Sequence, residues 1–212
     1  MSNKSQLHLA ELMGSKLCHD LVNSVGSISN GIELLGEMKD AADKEALDLI
    51  VASVNLTLVR LKFFRLAFGL NTNKTNINWD QIYRTVEAYG TQYRTTIIWQ
   101  NSKDTDDLSD SEAKLLLNLF HVAITCLNKG GVISIEISPR GLADKLRMIV
   151  GGKICNLKKP VYLASTGEQK LDDIGPGEVT AYLARIHANY LNKEIQINDD
   201  KKNEIKFEII NL

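Results

Sequence analysis

The chain has 212 residues, of which 44% are hydrophobic and 24% charged, so it has the composition of an ordinary globular protein with one large domain or two small ones. Its 25 basic and 26 acidic residues give a net charge of −1. This balance argues against nucleic-acid binding as the main function, because phosphate neutralisation needs clustered Lys and Arg. Three widely separated cysteines form neither a disulfide framework nor a metal-ligand pattern. The first residues do not form a signal peptide and no apolar run could span a membrane, so we expect a soluble, cytoplasmic protein.

A helical period runs from about Leu7 to Met38, and the first turn-forming cluster follows near Lys39 to Asp43. Within this helix, apolar residues spaced 4, 3, 4 and 3 apart predict a seam that packs against other helices in a bundle. The seam consists of Leu21, Val25, Ile28, Ile32 and Leu35.

His19 lies outside that seam, about 200° around the helix from Leu21, so its imidazole is predicted to point outward. The residues that share its side of the helix are small or polar, which favours a reactive group on a low surface that another protein can approach. This strip consists of Ser15, His19, Asn23, Gly26 and Asn30.

Two neighbours of His19 favour chemistry at this position. Asp20 can orient or deprotonate the imidazole, and the carboxamide of Asn23 can hydrogen-bond a phosphoryl group or its attacking water. Lys16, one turn earlier, is a candidate to neutralise charge and to contact a partner.

A second helix is predicted from about Lys44 to Phe68, with Gly69 at its end and with its own apolar seam. Two long helices joined by a short loop form an antiparallel hairpin, which cannot cover both seams by itself. We therefore expect a homodimer with a four-helix bundle; the alternative is that the C-terminal half covers the hairpin within one chain. The second seam consists of Leu47, Val51, Val54, Leu58 and Leu61.

The polar segment from Asn71 to Asn78 is predicted to be a linker, and the rest of the chain mixes helices and strands in an α+β domain. The segment from Lys153 to Leu171 has no clear pattern. Helices are predicted at Trp79 to Gly90, at Leu108 to Leu127 with Ser109 or Asp110 as cap and Glu112 near N3, and at Glu178 to Leu191. Strands are predicted at Thr95 to Gln100, Val132 to Ser138, Lys145 to Val150 after a turn at Pro139 to Asp144, Glu194 to Asn198 and Ile205 to Ile210.

The motif His-Asp-Leu, eight residues, Asn-Gly-x-Glu-Leu-Leu, from His19 to Leu35, resembles the first helix of the bacterial histidine phosphotransferases of the ChpT type. A second segment, Ile174 to Arg185, is similar to the last helix of that family. The resemblance implies a dimeric helical hairpin in residues 1–70 and a degenerate histidine-kinase ATPase-like α/β sandwich domain in residues 75–212. The family usually has Pro where this chain has Ser24, so we expect a straighter first helix here.

The resemblance also implies a function. His19 would take a phosphoryl group from the aspartate of a response-regulator receiver domain and pass it to another receiver, with Asp20 and Asn23 assisting and with Ser15, Lys16, Gly26 and Asn30 in the docking surface. The receiver would supply Mg²⁺, and this chain would bind no cofactor or metal of its own. In the family, the upstream donor is a CckA-like hybrid kinase and the acceptors are regulators similar to CtrA and CpdR.

Kinases of this fold bind Mg-ATP through an Asn-bearing helix and an Asp-x-Gly-x-Gly loop. Here His121 stands where that helix would have Asn, and the stretch with the spacing of the loop, Asp173 to Gly177, is predicted to be a turn. We therefore predict neither ATPase nor autokinase activity. A His-Asp pair also occurs in metal-dependent HD phosphohydrolases, but His8 is about 16 Å from His19 along the helix, too far to share an ion. His121 and His187 lie among apolar residues and are predicted to be core or boundary residues.

Two alternatives stay open. The chain could be a phosphatase in which Asn23 places water on the phospho-aspartate of a receiver, or a non-catalytic scaffold that docks receivers without transfer. The role of the second domain is equally open, between a docking surface for receivers and a brace for the bundle.

Overall fold

The computed structural model describes residues 3–37, 42–70, 76–100, 106–138 and 141–212. The fold is α+β, as predicted, with two long N-terminal helices followed by a mixed five-stranded sheet and its helices. In the described part of the chain, none of the helices combines the length and apolar character needed to span a membrane. The helices are α1 (Asn3–Glu37), α2 (Ala42–Phe68), α3 (Trp79–Gln92), α4 (Asp110–Thr125), α5 (Lys159–Thr166) and α6 (Val179–Tyr190), with a 3-10 turn at Leu171–Asp173. The strands are β1 (Thr95–Gln100), β2 (Gly131–Ser138), β3 (Gly141–Gly151), β4 (Lys193–Asn198) and β5 (Glu204–Asn211).

Helices α1 and α2 pack against each other through small residues. Ser24 and Gly31 are buried in this contact. A Cβ at position 31 would lie 2.5 Å from Cγ1 of Ile50, so only glycine lets the two helices approach this closely. Ser24 accepts a 2.7 Å hydrogen bond from Arg60 of α2, and α1 continues without interruption through this residue.

The closest contact between α1 and α2 is made by small residues, and much of the two predicted apolar seams is exposed. Val25 and Ile32 on α1 are 53% and 58% exposed, while the small residues beside them are buried. The spacing identified an apolar row, but the closest helix contact is made where side chains are smallest. The seam of α2 is likewise 37% to 53% exposed, in Leu47, Val51, Val54, Leu58 and Leu61.

The sheet has the strand order β1-β2-β3-β5-β4. Strand β1 is parallel to β2, and the other neighbouring pairs are antiparallel. Ile133, Ile135 and Ile137 alternate toward the buried face, where the helices of this half cover them. On the opposite face, Arg147 bridges the carboxylates of Glu136 and Glu208.

One end of the hairpin is buried in the core of the C-terminal half. The ring of Phe63 on α2 stacks on Tyr89 of α3 with centroids 3.9 Å apart. Asn118 of α4 donates a 3.2 Å hydrogen bond to the carbonyl of Ala67, close to the end of α2. The C-terminal half therefore covers this end of the hairpin, but it leaves the seams on the rest of the hairpin uncovered.

Most predicted elements are present with small shifts of their ends. Ser109 and Glu112 form the expected capping box at the start of α4. Strand β3 begins at Gly141, earlier than the predicted Lys145, because it pairs with β2 already from Ser138. The unassigned segment contains α5 and ends at the 3-10 turn. The predicted loop near residues 39–43 and the linker at 71–78 lie mainly outside the described residues.

Candidate functional site

The candidate site is centred on His19, whose side chain is 76% exposed. Its Nδ1 atom lies 3.1 Å from Oδ1 of Asp20, the next residue on α1. The carboxylate therefore contacts one edge of the imidazole, and the other ring nitrogen, Nε2, lies on the opposite edge. The predicted outward direction of His19 is found in the structure.

Asp20 is only 16% exposed, yet it is surrounded by groups that keep it ionised. Burial alone would raise the pKa of its carboxyl, but the approach of His121, Lys16 and His19 outweighs burial and holds the pKa below its usual range. An ionised carboxylate can only accept hydrogen bonds. Nδ1 of His19 must therefore carry the proton, which leaves the lone pair on Nε2.

Lys16 is bound to Asp20 rather than free at the surface. Its Nζ lies 2.6 Å from Oδ2 of Asp20, and its side chain is only 14% exposed. This ion pair at i and i+4 takes up the second carboxylate oxygen, so that Oδ1 faces His19. A role for Lys16 in docking a partner stays a prediction.

Arg60 of α2 braces the backbone beneath the site. It donates a 2.9 Å hydrogen bond to the carbonyl of Asp20 and a second bond to the hydroxyl of Ser24. Proline at position 24 would deprive the carbonyl four residues earlier, that of Asp20, of its helical donor. Arg60 therefore supplies a donor to the very carbonyl that a proline at this position would free.

The strip beside His19 is exposed along its whole length. Ser15, Asn23, Gly26 and Asn30 are all open to solvent, as predicted. A Cβ on Gly26 would meet nothing within 4 Å, so packing within the chain does not require glycine there. The strip thus has the low profile that the sequence indicated, in contrast to Gly31, where glycine serves the contact of α1 with α2.

Chemically, the arrangement presents an exposed imidazole with a fixed tautomer and a carboxylate that can stabilise positive charge on it. Such an imidazole is a nucleophile or a base at Nε2. Among the described residues, no group of three or more His, Cys, Asp or Glu side chains is arranged to hold a metal ion. His8 is near Glu11 and separate from the site.

Comparison with known proteins identifies the family of the chain. Residues 73–203, more than half of the chain, match the family described as the histidine phosphotransferase C-terminal domain. The chain belongs to this histidine phosphotransferase family. The resemblance drawn from the sequence is therefore confirmed.

Two relatives of this histidine phosphotransferase extend the likeness to nearly the whole chain. Protein phosphotransferase ChpT of Brucella abortus (strain 2308) is 26% identical over 195 residues, which cover 92% of this chain and 91% of the relative. The 1.7 Å structure of a bacterial phosphotransferase is 24% identical and has a TM-score of 0.83, with 99% of this chain and 98% of that chain covered. The second likeness shows that the two chains share a fold.

Sequence reasoning missed two residues of the site. His121 of α4 was expected in the core, and it is buried, but its Nε2 also lies 3.9 Å from Oδ2 of Asp20. Arg60 was not singled out at all. Both lie far from His19 in the sequence, and a basic or aromatic side chain on an otherwise apolar helix face was the only signal available.

Proposed function

We propose that this protein relays phosphoryl groups between aspartates of response-regulator receiver domains in a two-component phosphorelay, through a phosphohistidine at His19. The relative from Brucella abortus is named a protein phosphotransferase, and the chain shares its family and nearly its full length. The observation that carries the proposal is the exposed His19 with Asp20 on Nδ1, which leaves Nε2 as the nucleophile.

The step follows from the charges of these two residues. The lone pair of Nε2 attacks the phosphorus of the aspartyl phosphate, an N–P bond forms, and the bond from phosphorus to the aspartate oxygen breaks. That oxygen leaves with the electron pair as a carboxylate. The imidazole keeps its proton on Nδ1 and becomes positively charged, and the ionised Asp20 stabilises this charge at 3.1 Å.

Return of the phosphoryl group to a second receiver is the reverse of this step. Asn23 is exposed one turn along the same strip of α1, and we expect its carboxamide to contact phosphoryl oxygens. The receiver is expected to supply the Mg²⁺ that neutralises phosphoryl charge. The upstream and downstream partners are expected to be receivers of the CckA, CtrA and CpdR types.

We further propose that the protein acts as a homodimer through a four-helix bundle. The exposed seams of α1 and α2 support this, because both have the 4-3-4-3 spacing of helices that pack lengthwise. An apolar surface of this extent favours a second copy of the same hairpin. In this arrangement, residues 1–70 form the dimerising phosphotransfer domain and residues 75–212 a kinase-like domain without ATP-dependent activity.

The test is phosphoryl transfer from a receiver domain that carries labelled phospho-aspartate, with Mg²⁺ present. We expect acid-labile, base-stable label on the wild-type chain and none on His19→Gln. His8→Gln is the matched control, because it removes the other histidine of α1 and should take label like the wild type.

Each other outcome identifies a different function. Loss of label from the receiver with none on this chain, together with release of inorganic phosphate, would contradict the relay and indicate a phosphatase; Asn23→Ala should then abolish the release. Unchanged label on several receivers would indicate a docking scaffold. Label on the chain from ATP alone would contradict the absence of kinase activity.

A further inference from the structure

His121 lies on α4, in the C-terminal half of the chain, and is buried with only 4% of its surface exposed. Its ring packs within an aromatic cluster, with centroid distances of 6.2 Å to Phe63, 6.1 Å to Phe64 and 5.9 Å to Tyr89. A phenylalanine could fill such a site equally well. The imidazole therefore calls for an explanation beyond packing.

The polar atoms of this ring are unusual for a buried side chain. Both ring nitrogens are buried without a hydrogen-bond partner. Buried polar groups are normally paired, because they lose their contact with water on folding. The polar group that Nε2 faces is the carboxylate of Asp20, whose Oδ2 lies 3.9 Å away. This distance exceeds that of a hydrogen bond, and a small rotation of either side chain would close it.

The charges that act on His121 come from α1, where the carboxylate of Asp20 and the ammonium group of Lys16 lie near the ring. The ring of Tyr89 on α3 packs beside it. Burial lowers the pKa of His121, and the proximity of Asp20 opposes this only in part. The ring is therefore neutral near pH 7 and can donate one hydrogen bond to the carboxylate.

We propose that His121 is a positioning residue for phosphotransfer, which acts by holding Asp20 against His19. The inference rests on the proposed function of His19. Lys16 and His121 both approach Oδ2 of Asp20, and His19 approaches Oδ1, so the carboxylate is fixed between the C-terminal half and the phosphoaccepting imidazole. When His19 gains positive charge, Nε2–H of His121 closes on Oδ2 and secures the carboxylate. The folded C-terminal half thereby contributes to the reaction although it does not touch the phosphoryl group.

The experiment replaces His121 with residues that separate packing from hydrogen bonding. His121→Phe keeps the ring and removes the donor, and His121→Gln keeps a donor. We expect the initial rate of label transfer to His19 to fall about tenfold in His121→Phe, which corresponds to one buried hydrogen bond, and to recover mostly in His121→Gln. His187→Phe is the matched control, since His187 is a half-buried histidine of α6 beside Lys114 and Asp110 and should transfer at the wild-type rate.

A double-mutant cycle tests whether the effect passes through Asp20. In an Asp20→Asn background, His121→Phe should cause no further loss of rate. A merely structural role would slow transfer by the same factor in both backgrounds. His121→Leu provides a second apolar replacement if the phenylalanine variant does not fold.

The tautomer of His19 gives a readout that packing alone would not change. Nitrogen NMR of the histidine rings should show His19 protonated on Nδ1 in the wild type, and a smaller Nδ1–H population in His121→Phe. Wild-type transfer with the same rate and tautomer in His121→Phe would overturn the role of His121 and leave the relay intact. A wild-type chain that takes no label would overturn the relay, and this inference with it.

Discussion

The helical hairpin and the sheet-containing half differ in how far they bury their apolar residues. In the C-terminal half, residues such as Leu115, Ile133 and Phe207 are completely buried. In the hairpin, residues such as Val25 and Leu58 are about half exposed. The C-terminal half thus buries its core within one chain, whereas the hairpin has an apolar surface that the residues described in the structure leave exposed.

The two regions have different roles in the molecule. The C-terminal half buries one end of the hairpin and brings Nε2 of His121 to 3.9 Å from Oδ2 of Asp20. The remaining hairpin presents two exposed surfaces, the apolar seams and the small polar strip beside His19. An apolar surface suits a permanent partner, and a polar strip suits a transient one.

The largest effect is expected where the two regions share a core. Phe63→Ala should lower the free energy of unfolding by about 3–5 kcal/mol, because it removes a fully buried ring that stacks on Tyr89. Leu70→Ala is the control, since Leu70 is 91% exposed and its loss should change stability by less than about 0.5 kcal/mol. Urea denaturation measures both. Equal small losses would mean that the two regions do not share a core.

A charged residue in the apolar seam of α2 tests whether a second copy of the chain covers the hairpin. Leu58→Asp should raise the dimer dissociation constant by at least about 100-fold, because an aspartate would be buried in an apolar interface. Leu70→Asp adds the same charge to an exposed apolar residue outside the seam and should leave the dimer intact. Sedimentation equilibrium over a range of concentrations gives both constants. A wild-type monomer at every concentration would contradict the four-helix bundle.

The glycines of α1 distinguish the internal face from the strip. Gly31→Ala should destabilise the chain by about 1–3 kcal/mol, because its methyl group would overlap Ile50. Gly26→Ala should stabilise the chain by about 0.5–1 kcal/mol through helix propensity. It should also slow transfer to His19, because the added methyl group would project from the strip where the receiver docks. Gly14→Ala has the same open surroundings away from the strip and should stabilise without slowing transfer. Unchanged transfer in Gly26→Ala would remove Gly26 from the docking surface.

The smallest expected effect is a pH dependence of stability from the C-terminal half. Burial lowers the pKa of His121 and also that of His187. As pH falls through the ordinary histidine pKa near 6.5, these two histidines bind protons in the unfolded chain but stay neutral in the folded chain. The free energy of unfolding therefore falls as pH falls from 7 to 5.5. Asp20 does not contribute in this window, because its pKa is lowered below its usual range. The slope of the free energy of unfolding against pH, obtained from thermal unfolding, should be shallower in His121→Phe, and an unchanged slope would mean that folding does not shift the pKa of His121.

Local signals made much of the fold predictable. The β-branched and aromatic residues of Thr95–Gln100 indicated a strand with the ends that the structure shows, and the pair of Ser109 and Glu112 indicated the start of α4. The outward direction of His19 followed from helix geometry alone. These features depend on neighbours within a few residues, which a sequence displays directly.

The rest depends on contacts between distant residues. Apolar spacing does not say which row of a helix meets the same chain, and it did not indicate that α1 and α2 make their closest contact around Ser24 and Gly31. The i and i+4 spacing of Lys16 and Asp20 was visible, but the approach of His121 to Asp20 arises only when α4 packs on the hairpin. The segment before α6 was ambiguous because α5 has only eight residues.

In the proposed relay, Asp20 on Nδ1 makes Nε2 of His19 the phosphoryl acceptor. The most direct measurement is phosphorus and nitrogen NMR of the chain after phosphorylation by a receiver domain, with His19→Gln as the blank. We expect one N-phosphoryl signal, coupled to Nε2 of His19, with the proton retained on Nδ1. A phosphoryl group on Nδ1, or no phosphohistidine while the receiver loses its phosphoryl group, would contradict the account.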